Sequence, residues 1–255
     1  MQQLRNLKDL TGFALEARDG EIGKVKEIYF DDQDWFIRYF VVRTGGWLRG
    51  REVLITPWVM LSLDEDQRRF VVNLSREQVE QSPPVSTERP VSRHYETEYH
   101  RYYGLEPYWT MGPLGAPPAP RPIPLPSAPP REPEHPHLRS SEEVLGYRIA
   151  THDGEFGRVE DFIVDDGDWS IAYVLVDTHR WLAGKRVLVA PAWIQSVDWS
   201  GRCITVDLDR DAIEAAPAYD PSRLITSDYE ADLFAHFGKS LHEARGQEQR
   251  GATHA

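Results

Sequence analysis

Short apolar segments separated by turn residues make up most of the chain up to Pro83. Phe70, Val72 and Leu74 recur at every second position, which is the period of a strand with one buried face. The segment from Phe36 to Arg43 is almost continuously apolar and β-branched or aromatic, which predicts a strand covered on both faces. Six short strands are expected in all, including one that begins at Gly12, one over about 23–30 and one over 52–56. Short strands with frequent turns are typical of a small closed or nearly closed β-barrel.

The same pattern occurs twice along the chain. At an offset of about 134 residues, DGEIGKV (Asp19–Val25) aligns with DGEFGRV (Asp153–Val159), and Trp47–Pro57 aligns with Trp181–Pro191 without a gap. A solenoid needs at least three stacked units, so we interpret this as a tandem duplication and expect two equivalent barrels. Residues paired by this alignment are called equivalent below, and the two repeats are called the first and the second copy.

Short helices are expected after each barrel. Ser75 and Gln78 have capping-box spacing, which predicts a helix over Ser75–Gln81. Two longer helices are predicted over 92–103 and 226–237, ending at Gly104 and Gly238. Their apolar stripes are Tyr95, Tyr99, Tyr102 and Tyr103 in the first helix, and Tyr229, Leu233, His236 and Phe237 in the second, where Ser227 and Glu230 have capping-box spacing. A helix of about 12 residues is marginal alone, so we expect each to dock on barrel surface within this chain.

A Pro-rich segment separates the two copies. It holds about 12 of the 19 prolines and reads as an extended spacer, with RPIPLP as an alternative docking site for a proline-reading domain. The expected organisation is a domain over 7–104, a linker over 105–138, a second domain over 139–238 and a disordered tail over 239–255.

Composition narrows the classes of protein. Lys+Arg 29 against Asp+Glu 41 gives a net charge of −12, which disfavours nucleic acid as a partner. The single Cys203 excludes an internal disulfide framework and a cysteine-based zinc cage. No apolar run is long enough to predict a transmembrane segment, and the first residues lack the apolar core of a signal peptide. We therefore expect a soluble, cytoplasmic protein.

Two acidic turns are the main candidates for metal chemistry. We expect solvated turns, because Asp favours tight turns, with weak cation binding as the alternative. The carboxylates concerned are Asp31, Asp32 and Asp34, and their equivalents Asp165, Asp166 and Asp168. His135 and His137 form a weak H-x-H pair, while His152 and His179 have no histidine equivalent in the first copy. No positioned nucleophile, acid–base pair or phosphate loop is visible, so we expect no enzymatic activity and no cofactor.

Tryptophans in equivalent loops are candidates for partner binding. Trp35 and Trp169 follow the acidic turns, and Trp47 and Trp181 lie in the Gly-rich loops. These four side chains either close the ends of the barrels or act as exposed anchors for a partner. Basic side chains lie next to the Gly-rich loops. The candidate partner-binding residues are Trp47, Arg49, Arg51, Trp181, Lys185 and Arg186.

These motifs resemble the PRC-barrel family. Both copies, from Gly12 to Pro83 and from Gly146 to Pro217, show a Gly-initiated strand, D-G-x-x-G-x-V, an acidic turn, a strand ending in apolar residues, a Gly-rich loop and V-L-x-x-P. Such barrels occur in the cytoplasmic part of the photosynthetic reaction-centre H subunit and at the C-terminus of a ribosome-maturation factor. The resemblance implies a non-enzymatic barrel that binds protein partners. The chain departs from both relatives by having two barrels and neither a membrane helix nor the extra N-terminal barrel of the ribosome factor.

Three functional hypotheses follow. The first is a soluble interaction or assembly module that docks to a protein partner such as a component of a membrane-associated or electron-transfer complex. Its barrels would form an intramolecular pseudo-dimer, and homo-oligomers are compatible with this reading. The second is a ribosome- or RNA-linked binding module, and the third is a weak cation-binding protein using the acidic turns.

Overall fold

The computed structural model describes residues 3–83, 91–110, 137–178 and 185–240. These residues form two compact units. The N-unit contains residues 12–34, 38–83, 91–110 and 137–139, and is built mainly from the first copy. The C-unit contains residues 3–11, 35–37, 140–178 and 185–240, and is built mainly from the second copy. The expected domain limits of 7–104 and 139–238 therefore differ from the compact units, because each unit takes residues from both halves of the chain.

The N-unit is a seven-stranded mixed sheet. Its strands are β2 (Ala14–Ala17), β3 (Gly20–Asp31), β4 (Ile37–Thr44), β5 (Glu52–Ile55), β6 (Met60–Asp64), β7 (Arg69–Val72) and β8 (Leu138–Ser140). They are ordered β5-β4-β3-β2-β7-β6, and β8 pairs with β3. The β2–β7 pair is parallel, whereas β2–β3, β4–β5 and β6–β7 are antiparallel.

The C-unit repeats this sheet. Its strands are β1 (Leu4–Asn6), β9 (Arg148–Thr151), β10 (Gly154–Asp165), β11 (Ile171–Asp177), β12 (Arg186–Val189), β13 (Ile194–Asp198) and β14 (Cys203–Val206). The order is β12-β11-β10-β9-β14-β13, and β1 pairs with β10. The prediction of a mainly β fold with two similar units is confirmed. Val25 and Val72 are buried, as are their equivalents Val159 and Val206, so the predicted inward face is confirmed as well.

Six α-helices lie in the described residues, and in four of them a side chain caps the N-terminus. They are α1 (Leu7–Leu10), α2 (Arg76–Glu80), α3 (Arg93–Tyr103), α4 (Ser141–Val144), α5 (Arg210–Ala215) and α6 (Ser227–His236). Ser75 and Gln78 form the predicted capping box. Gly104 ends α3 with a left-handed φ of 65°. Among the described residues, no helix is both long and apolar enough to cross a membrane.

Helices α3 and α6 dock on their own units, which confirms the predicted docking, although Tyr102 of the first stripe is 37% exposed. Tyr99 of α3 is fully buried, packs edge-on against Tyr39 of β4 with ring centroids 5.1 Å apart, and its hydroxyl accepts a hydrogen bond from the Thr56 amide. In α6, Leu233 and Phe234 are buried.

Two details of the second helix were predicted wrongly. Thr226, not Ser227, is its N-cap, with Oγ1 accepting a hydrogen bond from the Tyr229 amide. His236 is exposed, and Phe234 takes its place in the buried stripe.

The predicted linker reaches residue 138, where β8 already begins. Most of that linker, 111–136, and the tail from 241 onward lie outside the described residues.

Candidate functional site

The Gly-rich loop of the first copy packs its tryptophan against the unit. Trp47 is half-buried, and its indole N–H donates a hydrogen bond to the carbonyl of Ile22 at 2.9 Å. The guanidinium of Arg76 lies 4.3 Å from the ring centroid. Arg49 is exposed in the same loop. Partner binding by Arg49 and by the exposed part of Trp47 remains a prediction. Trp181 lies outside the described residues.

Two of the predicted basic residues stabilise helix ends. Arg51 donates from Nη1 to the carbonyl of Glu80 at 3.0 Å and from Nη2 to that of Ser82 at 2.5 Å, at the end of α2. Its equivalent Lys185 donates from Nζ to the carbonyl of Glu214 at 2.9 Å, at the end of α5. A cation at a helix C-terminus satisfies carbonyls that lack partners within the helix and complements the helix dipole. Both side chains therefore have a structural role.

Arg186 forms a salt bridge between β12 and β10, the two strands that flank β11 in the sheet. Its Nε donates to both carboxylate oxygens of Glu160, at 2.9 and 2.7 Å. The equivalent pair in the first copy is Glu52 with Lys26, whose Nζ lies 2.7 Å from the carboxylate. The charges are reversed between the copies while the pair is kept. An ion pair between these two strands is therefore kept in both copies, whichever strand carries the positive charge.

The acidic turn of the first copy is not solvated, so that expectation was wrong. Asp31 is 3% exposed, and its carboxylate lies 3.9 Å from Nε of Arg38. Asp34 pairs with the same guanidinium, which is also buried. Asp32 accepts a hydrogen bond from Nε of Arg139 at 2.7 Å. Arginine, and not solvent, therefore compensates these carboxylates.

The acidic turn of the second copy is partly similar. Asp166 accepts a hydrogen bond from Nε of Arg5 at 2.6 Å. Asp165 accepts from the backbone amide two residues further on, at 2.8 Å. Asp168 is exposed and accepts from both the amide and the hydroxyl of Ser170, at 2.9 and 2.7 Å. These are the local hydrogen bonds of an Asx turn, as the residue type predicts.

Among the histidine candidates that the structure describes, one contacts these carboxylates. His137 lies with Nδ1 3.3 Å from Oδ1 of Asp32, while His135 and His179 lie outside the described residues. His152 is exposed. Within the described ranges, no group of three or more His, Cys, Asp or Glu is arranged to hold a metal ion.

A buried polar network in the N-unit was missed by the sequence reasoning. Glu96 of α3 is 2% exposed, and its Oε1 accepts hydrogen bonds from the hydroxyls of Tyr39 at 3.2 Å and Tyr108 at 2.9 Å. Its Oε2 lies 3.2 Å from Nη1 of Arg93. Burial raises the pKa of Glu96 to about 7, against the lowering effect of Arg93 and the two hydroxyls.

His100 completes this network. Its Nε2 lies 3.0 Å from the hydroxyl of Tyr39. Burial lowers the pKa of His100 to about 4. The carboxyl group therefore exchanges a proton near neutral pH, while the imidazole beside it stays neutral there.

Part of this network recurs in the C-unit. The hydroxyl of Tyr173 donates to Oε1 of Glu230 at 2.8 Å, and both side chains are buried. Phe234 occupies the position equivalent to His100. The Tyr–Glu hydrogen bond joins a strand to a helix in both units and is structural, whereas the histidine is specific to the first copy.

A cleft of about 710 Å³ lies in the C-unit. Its polar lining includes Asp207 and Lys239, which form an ion pair at 3.1 Å. His236 also lines it, with Nε2 2.7 Å from the carbonyl of Ala212. Two of the three groups are therefore paired with each other and the third with the backbone.

An exposed apolar pair in the N-unit was also missed. Trp58, in the short 3₁₀ helix Pro57–Val59, is 62% exposed, and Leu61 at the start of β6 is 63% exposed. Their equivalents in the second copy are Ala192 and Gln195. The repeat alignment carried the signal, since a position that holds a small or polar residue in one copy is compatible with solvent in both. An exposed tryptophan close in sequence to an exposed leucine, where the other copy has smaller or polar residues, is a candidate binding surface.

Comparison with known proteins agrees with this architecture. The family model described as PRC-barrel domain matches residues 5–79. The matched range begins inside β1 and ends within α2. No curated protein matches the chain.

Proposed function

We propose, from the PRC-barrel domain that this chain contains over residues 5–79 and the similar sheet of its second copy, that the protein is a non-enzymatic protein-interaction module. Its partner is a protein whose surface offers an apolar pocket flanked by basic side chains. The exposed pair Trp58 and Leu61 is the observation that carries this proposal.

The position of this pair suits binding. Strand β6 ends the sheet order of the N-unit, and the register between β6 and β7 shifts between Met60 and Ser62, so Leu61 has no cross-strand partner in the register. Tryptophan is enriched at the energetic centres of interfaces because its large ring buries much area at small conformational cost. Keeping two large apolar side chains in water costs free energy that a partner would recover on covering them.

The negative charge of this chain supports basic side chains around the apolar pocket of the partner. The chain carries a net charge of −12, and the turn that follows β6 exposes Asp66. Complementary potentials accelerate association and select partners. The resemblance to the reaction-centre H subunit makes membrane-associated and electron-transfer complexes the first place to search for this partner.

RNA binding is less well supported. Three of the four basic candidates beside the Gly-rich loops are engaged within the protein, with Arg51 and Lys185 on helix ends and Arg186 on a carboxylate. Phosphate contacts would have to break these bonds and overcome the net negative charge.

The second copy supplies a matched control for the experiment. A photo-crosslinking amino acid placed at Trp58 in the full chain is expected to give a discrete protein adduct in native extract. The same amino acid at Ala192, the equivalent position, is expected to give none. Leu61→Gln, which introduces the residue found at Gln195, should reduce the adduct at position 58.

A quantitative measurement follows once the adduct identifies the partner. With purified proteins, Trp58→Ala is expected to weaken binding by about 30-fold or more, because truncating an interface hot spot costs about 2 kcal/mol or more. Circular dichroism should be unchanged, since the side chain is mostly in solvent. Equal adducts at positions 58 and 192, or unchanged affinity of Trp58→Ala, would contradict the proposed function.

A further inference from the structure

Each sheet contains one strand from the other half of the sequence. Strand β1 pairs antiparallel with β10 in the C-unit, in the register Leu4↔Asp165, Arg5↔Val164 and Asn6↔Ile163. Strand β8 pairs with β3 in the N-unit. Leu-Arg-Asn of β1 and Leu-Arg-Ser of β8 are equivalent in the alignment, and so are β3 and β10. Each half of the sequence therefore donates the equivalent strand to the equivalent partner strand of the other half.

The side-chain contacts of the exchanged strands are also repeated. Arg5 Nε lies 2.6 Å from Oδ2 of Asp166, and its equivalent Arg139 lies 2.7 Å from Oδ2 of Asp32 through the same atoms. The four side chains are between 8% and 14% exposed. Largely buried ion pairs with the same atoms and nearly the same distance in both copies indicate one recognition site used twice.

Backbone hydrogen bonds extend this match. The amide of Asp166 donates to the carbonyl of Gln3 at 3.1 Å, and the amide of Asp32 donates to that of His137 at 2.9 Å. These pairs are again equivalent in the alignment.

Within the C-unit, residues 35–37 and 169–171 are joined by two reciprocal hydrogen bonds. The amide of Ile37 donates to the carbonyl of Trp169 at 2.8 Å, and the amide of Ile171 donates to the carbonyl of Trp35 at 2.7 Å. Residues 35–37 accordingly belong to the C-unit. The contact is self-complementary, because Trp35 and Trp169 are equivalent, as are Ile37 and Ile171.

Reciprocal contacts between equivalent residues are the property of an isologous homodimer interface, in which residue i meets j and j meets i. We propose that residues 3–110 and 137–240 associate non-covalently, as the protomers of a strand-exchanged dimer do. Each half carries a donor strand, with the sequence Leu-Arg-Asn or Leu-Arg-Ser, and an acceptor strand followed by an Asp pair. The partner that this surface fits is a second half-chain of the same kind, and the Pro-rich connection is not needed to hold the halves together.

Scission of the full chain tests this proposal. A specific protease site is inserted within 111–136, cleavage is verified on a denaturing gel, and the product is examined by size exclusion and native mass spectrometry. The two halves are expected to co-elute as a 1:1 species at micromolar concentration. Elution of two separate, folded halves would overturn the proposal.

Charge variants separate strand recognition from general stability. Arg5→Glu combined with Arg139→Glu is expected to weaken the association of the cleaved halves by at least about tenfold, since each buried carboxylate loses its partner. Adding Asp166→Arg and Asp32→Arg should restore much of it by reversing both pairs.

A matched control is Arg148→Glu, which breaks a partly exposed ion pair with Glu155 inside the second copy. It is expected to leave association unchanged. An effect of this control as large as that of the Arg5 and Arg139 variant, or failure of the reversed pairs to restore association, would contradict recognition through the exchanged strands.

Discussion

The substitution Glu96→Gln tests the buried network of the N-unit. Gln has nearly the shape of Glu but does not titrate, so the variant removes one proton-binding group from the interior. Glu96 accepts two tyrosine hydrogen bonds and lies beside Arg93, yet burial dominates and raises its pKa to about 7. The ordinary value is 4.5.

This difference in pKa gives the sign and size of the effect. Between pH 4.5 and 7 the folded protein holds the Glu96 proton and the unfolded chain does not. The group therefore stabilises the fold fully below pH 4.5, and that stabilisation is lost as the pH rises through 7. A difference of roughly 2.5 pKa units corresponds to about 3 kcal/mol. His100, with its pKa lowered to about 4 from 6.5, acts oppositely, because stability falls as the pH drops from 6.5 toward 4.

The assay is urea unfolding of the wild type and of Glu96→Gln at pH 4.5, 6 and 8. Groups common to both proteins, including His100, cancel in the difference of their unfolding free energies. That difference is expected to move by about 3 kcal/mol in favour of the variant from pH 4.5 to 8. Glu98→Gln, on the exposed face of the same helix, controls for helix charge. A difference that stays within about 0.5 kcal/mol across this range would refute the reasoning, as would a ¹³C titration of the Glu96 carboxyl centred below pH 5.

Two further predictions use equivalent positions. Gly23→Ala and Gly157→Ala should each destabilise the protein by more than about 2 kcal/mol in urea unfolding, because a Cβ would lie 2.1 Å from a backbone carbonyl oxygen at the first position and 2.4 Å from a valine methyl at the second. Gly46→Ala, where nothing lies within 4 Å, is the control, and equal losses at all three would contradict the packing argument. Arg51→Ala and Lys185→Ala should each cost about 1 kcal/mol by removing a helix C-terminal cap. Amide hydrogen exchange should rise at the end of the adjoining helix, and unchanged protection there would contradict the capping role.

Sequence periodicity predicted the strands that pack locally. Alternation at Phe70 and Val72 and the apolar segment of β4 both correspond to observed strands, because burial of one or two faces leaves a direct trace in the residue order. The strand Leu4–Asn6 leaves no such trace. It has three residues, and its partner β10 lies more than 150 positions away, so the choice of partner depends on long-range topology.

The candidate site was likewise only partly predictable from the sequence. Trp47 is recognisable as a loop aromatic, but its hydrogen bond to Ile22 and its cover by Arg76 require the folded chain. The pairing of Asp32 was missed because Arg139 comes from the other half of the sequence, whereas Arg38, which lies beside Asp31 and Asp34, was available in the same segment. Trp58 was overlooked because a tryptophan beside a proline reads as core unless its equivalent, Ala192, is considered.

The exchange of strands between the two halves is the central structural claim, and backbone NOEs on the full-length chain test it most directly. The account predicts cross-strand NOEs from Leu4, Arg5 and Asn6 to the 163–165 segment of β10, in the register given above. NOEs from the same three residues to 29–31 of β3, the equivalent positions within their own half, would contradict it.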